Sequence, residues 1–97
     1  MYLVHVHLRA PDGADFPEAA GDQVRRLARP DEGIEHVVGR LHAPTGPVLG
    51  VYVLADGLHQ AEARAALVCG RALAEIPEFR GWTSVDAQVP LVSAFWE

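Results

Sequence analysis

The stretch Tyr2-Leu3-Val4-His5-Val6-His7-Leu8-Arg9 constrains the fold more than any other part of the chain. In a strand, successive side chains point to opposite faces. Tyr2, Val4, Val6 and Leu8 then form a bulky, mostly apolar row, and Leu3, His5, His7 and Arg9 form a row with three nitrogen-bearing heads. One row belongs against a core, and the other is a candidate site.

The rest of the chain reads as alternating elements. Pro11-Asp12-Gly13 ends the first strand, and Asp15 with Glu18 three residues later forms a capping-box pattern, so a helix is expected to start near Asp15. Phe16, Ala20, Val24 and Leu27 recur at helical spacing, the arginines at 25, 26 and 29 suit a helix C-terminus, and Pro30 stops it. A second strand is expected over Ile34 to Ala43, with His36, Arg40 and His42 on one side, Val37, Leu41 and Ala43 on the other, and Gly39 as a place for a bulge. After the turn around Pro44 to Pro47, the run Val48 to Ala55 is apolar on both faces apart from Tyr52, as a central strand would be. Leu58, Ala61, Ala65, Val68, Cys69, Ala72 and Ile76 share one face of a second helix ended by Pro77. Trp82 to Val89 alternates again, with Trp82, Ser84, Asp86 and Gln88 opposed to Thr83, Val85, Ala87 and Val89. Pro90 ends it, leaving 91–97 as an apolar tail.

At 97 residues this is one α+β domain, 1–97, large enough to bury a core without disulfides or structural metal. Thirteen acidic against eight basic residues, a net charge of -5, oppose the phosphate neutralisation that nucleic-acid binding needs. No apolar run is long enough to span a membrane, and the first residues carry no export pattern, so a cytoplasmic setting is expected. All eight basic residues are Arg; without Lys there is neither a Schiff base nor a Walker lysine, and the glycines lack GxGxxG and GxSxG spacing. Cys69 has no partner for an internal disulfide and falls on an apolar helix face.

The order strand, helix, strand, strand, helix, strand resembles the ferredoxin-like βαββαβ fold, and in particular the dimeric α/β-barrel proteins, over nearly the whole chain. The resemblance is one of element order, without a shared motif. It implies a four-stranded antiparallel sheet in the order 4-1-3-2, two helices on one face, and a second copy against the other. Members include cofactor-independent monooxygenases, cyclases and isomerases as well as proteins that only bind, so the fold alone names no reaction.

On such a sheet, His5 and His7 project from the centre of the face opposite the helices, with Ser84 and Asp86 beside them, Tyr52 on the other side, and His36, Arg40 and His42 beyond. Three readings compete. In the first, the face lines a pocket for a hydrophobic, aromatic or polyketide-like small molecule: His5 or His7 is the acid/base, Asp86 orients it, Arg9 or Arg40 holds an anionic group, and His36, His42, Tyr52, Trp82 and Ser84 complete the lining. In the second, His5 and His7 ligate a metal; a closed site is hard to complete from one histidine pair without a cysteine pair, so no metal and no cofactor are expected. In the third, the histidines fill a dimer interface. Leu3, Tyr52, Val48, Leu54 and Trp82 on that face, together with the tail, point to a homodimer.

Overall fold

The structure is a computed structural model, and it describes residues 1–12, 16–40 and 46–89. Four strands, β1 (Tyr2–Arg9), β2 (Ile34–Arg40), β3 (Val48–Val53) and β4 (Thr83–Gln88), form one sheet in the order β2-β3-β1-β4. Every neighbouring pair is antiparallel. Helix α1 spans Ala20–Arg26 and α2 spans Leu58–Glu75, which gives the ferredoxin-like arrangement of an α+β domain. No helix among the described residues is long and apolar enough to cross a membrane.

The alternation in β1 decides which face the helices cover. Val4, Val6 and Leu8 are buried with Val37, Leu49, Val51 and Val53 beneath Ala20 and Val24 of α1 and Ala61, Ala65, Val68, Cys69 and Ala72 of α2. Each such valine or leucine contributes about 1.5 to 3 kcal/mol by leaving water, so this layer carries the stability. Small residues let the helices sit close. A Cβ on Gly21 would lie 2.5 Å from the Val37 carbonyl oxygen, and one on Gly39 would lie 2.8 Å from the Phe16 ring. Gly39 therefore serves helix-side packing rather than a bulge. The irregularity in β2 lies between Ile34 and His36 instead.

Helix α1 departs from the expected start. It begins at Ala20, whose N–H donates to the Pro17 carbonyl at 3.1 Å, and Asp15 lies outside the described residues. Pro17 is the physical reason: the residue before a proline is disfavoured in helical backbone, so Phe16 cannot open a helix. Phe16 instead packs against Phe79 and Trp82, with ring centroids 6.3 and 5.7 Å away.

An ion pair joins α2 to the short 3₁₀ turn Pro30–Glu32. Arg71 donates to both carboxylate oxygens of Glu32, at 2.9 and 2.5 Å, and to the Leu27 carbonyl, while the Arg29 N–H donates to Glu32 at 2.7 Å. Glu32 is only 7% exposed. The Arg71 hydrogen bonds, which outweigh the opposing effect of burial, lower its pKa from 4.5 to about 2. Cys69 is buried, and that burial pushes its thiol up to about 12, where it is inert packing.

Candidate functional site

The face opposite the helices carries Leu3, His5 and His7 of β1, with Tyr52, Gly50 and Val48 as their partners on β3. On β2, His36 pairs with Tyr52, and their rings lie 6.0 Å apart. Arg40 ends β2 opposite Val48. On the other side of β1, Gln88 pairs with His5 and Asp86 with His7. The two imidazoles meet edge to face at 6.4 Å. His42 and the tail 91–97 lie outside the described residues.

One histidine is organised by a carboxylate. His7 Nδ1 and Asp86 Oδ1 are 2.6 Å apart, with the side chains 26% and 38% exposed. An ionised carboxylate can only accept, so the proton sits on His7 Nδ1, and in the neutral ring Nε2 is left as the basic nitrogen. The Gln88 amide also donates to the second oxygen of Asp86, at 3.4 Å. This pairing supports the ring in one tautomer and one orientation, which is the arrangement a proton-transferring imidazole needs. His5 has its own interactions and does not share this bond.

The local register explains how the carboxylate reaches the imidazole. Asp86 pairs with His7, but the next residue of β1, Leu8, pairs with Ser84, leaving Val85 as an extra residue in β4. A bulge of this kind re-aims side chains, and bulges are common beside functional sites. Its consequence is visible at Val85, which is 55% exposed instead of joining the core. Val85, Asp86, His7, Leu8, Arg9, Ala10 and Pro47 line an open groove of about 540 Å³.

The bulge also corrects two placements. Simple alternation puts Trp82 and Ser84 on the histidine face. Trp82 is instead 5% exposed in the helix-side core, 5.6 Å from Phe79 and perpendicular to it, and Ser84 pairs with the buried Leu8. Neither joins the histidine row, because the extra residue reverses the phase of β4 between Asp86 and Ser84. Leu8, Ala10, Pro47 and Val85 are the groove residues that sequence reasoning missed. The residues of β4 give no sign of it, since Val85 and Asp86 suit opposite faces of a strictly alternating strand and the bulge exists only in the pairing with β1.

Among the described residues, no group of three or more His, Cys, Asp or Glu side chains could hold a metal ion. Tyr52 and His36 are brought together at the β2/β3 end of the face, whereas Arg9 stands at the groove. No family model, curated protein or solved structure matches this chain.

Proposed function

We propose that the protein is a small-molecule enzyme of the cofactor-independent type, working in the cytoplasm, in which His7 moves a proton to and from a ligand held in the groove. The observation that carries this reading is the 2.6 Å bond from His7 Nδ1 to Asp86 at the wall of that groove. Asp86 favours the Nδ1-protonated tautomer and stabilises the imidazolium formed when Nε2 takes a proton, and the same ring then returns it. The balance of roles moves from the pair His5 and His7 to His7, since His7 has the carboxylate. Leu8, Ala10, Pro47 and Val85 provide carbon surface suited to a hydrophobic ligand, and the volume falls within the range of about 300 to 1,000 Å³ typical of small-molecule sites.

The test is a small-molecule binding screen followed by turnover of the compounds that bind. His7→Gln is expected to reduce turnover about 10²-fold while leaving the fold intact, and His5→Gln to reduce it much less. Undiminished turnover in His7→Gln would reject acid/base catalysis and leave a binding module.

The proposal includes a homodimer in which a second copy covers Leu3 and Tyr52, both half-buried in the single chain. Light scattering at micromolar concentration checks it, and a mass near the 10.5 kDa of one chain would exclude it.

A further inference from the structure

We infer that the groove takes a small monocarboxylate, with Arg9 binding its carboxylate; this rests on the proposed role of His7 and names the class of molecule on which it acts. The arginines of this fold differ in how far they are committed. Arg71 is held by Glu32 and the Leu27 carbonyl, and Arg64 donates to the Leu54 carbonyl at 2.6 Å. Arg9, exposed at the groove, has no hydrogen bond or ion pair with any described residue. A guanidinium that spends no donor on the described residues offers a planar fork that matches the two oxygens of a carboxylate.

The placement suits a ligand with two ends. Arg9 and His7 lie two residues apart on one face of β1, which separates their backbones by about 7 Å. Thr83, directly opposite Arg9 in the β1/β4 register, adds a hydroxyl at that end. Between Arg9 and His7, Val85 and Pro47 present apolar surface that the fold leaves partly uncovered. A carboxylate at Arg9 thus sets an apolar body along the groove and its other end at His7.

Charge narrows the class further. Among the described lining residues Arg9 is the only cation when His7 is neutral, and Asp86 supplies a negative charge to the same groove. The protein carries a net charge of -5 as well. One cation against this background fits a single negative charge, whereas a phosphate dianion would meet more repulsion than one guanidinium offsets.

The experiment is an NMR titration of the ¹⁵N-labelled full chain with benzoate, benzyl alcohol and phenyl phosphate. Benzoate is expected to shift the amides of residues 7–10, 85 and 86, to bind at least about tenfold more tightly than benzyl alcohol, and to lose that advantage in Arg9→Gln. His7→Gln, by contrast, is expected to keep benzoate binding within about threefold, because the carboxylate is held at Arg9; this separates the inference from the catalytic role of His7, which turnover reads. Benzoate binding that matches benzyl alcohol, that survives Arg9→Gln unchanged, or that shifts amides only elsewhere overturns the inference. Tighter binding of phenyl phosphate than of benzoate overturns the assignment to carboxylates.

Discussion

The two faces of the sheet use the same strands for opposite ends. On the helix side, β1 contributes Val4, Val6 and Leu8 to a continuous apolar layer in which position is set by shape and exclusion of water. On the other side it contributes His5, His7 and Arg9, and the position of His7 is set by a directional bond, that to Asp86. Aliphatic side chains can exchange contacts with little loss when volume is kept, but an imidazole depends on one partner at one distance. Stability is therefore spread over many residues on the first face. On the second face, the proposed chemistry is concentrated in very few.

The sharpest break between the faces is expected from Phe79→Ala. Phe79 is fully buried and touches both Phe16 and Trp82, so its loss should lower the unfolding free energy by about 3 to 5 kcal/mol, read from urea melts. His7→Gln should leave the urea midpoint nearly unchanged while reducing turnover about 10²-fold, the converse pattern. A core-sized loss of stability in His7→Gln would mean that the second face is structural too.

The ion pair at the edge of the helix layer gives a smaller, pH-dependent effect. Glu32→Ala leaves Arg71 without its carboxylate and should cost about 2 kcal/mol at neutral pH, less than a fully buried pair because its rim is partly wet. The sign follows from the lowered pKa: the stabilisation from Glu32 is fully present above its ordinary value of 4.5 and is lost as pH falls toward about 2. Urea midpoints of wild type and Glu32→Ala should stay parallel from pH 7 to pH 5 and converge between pH 4.5 and pH 2. Gly21→Ala tests the close approach of α1. Alanine is the better helix former by about 1 kcal/mol, yet its Cβ would meet the Val37 carbonyl oxygen, so a net loss of about 1 to 2 kcal/mol is expected. A gain would show that α1 can shift away freely.

Much of this difference between faces is legible in the sequence, and the reasons for the exceptions are physical. β1 matches Tyr2 to Arg9 because strict alternation has few other solutions, and α2 emerges because its apolar positions keep helical spacing over Leu58–Glu75. The order of strands is the one that the resemblance to the ferredoxin-like fold implies. α1 was harder, since a local capping pattern at Asp15 competes with the restriction that Pro17 places on Phe16, and the proline governs. The β4 bulge, which brings Val85 to the groove and sends Trp82 to the core, is a matter of pairing with β1; the residues of β4 alone alternate plausibly in the wrong phase. The Glu32–Arg71 pair joins residues 39 positions apart, a contact that no periodicity encodes.

The measurement closest to the central claim is the tautomer of His7, read from its ring ¹⁵N shifts in long-range ¹H–¹⁵N spectra above its titration. The bond to Asp86 predicts a proton on Nδ1 and none on Nε2, and a return toward the mixture of an unconstrained histidine in Asp86→Ala. A His7 ring protonated at Nε2, or one whose shifts are unchanged by Asp86→Ala, would contradict the assignment of His7 as the positioned acid/base.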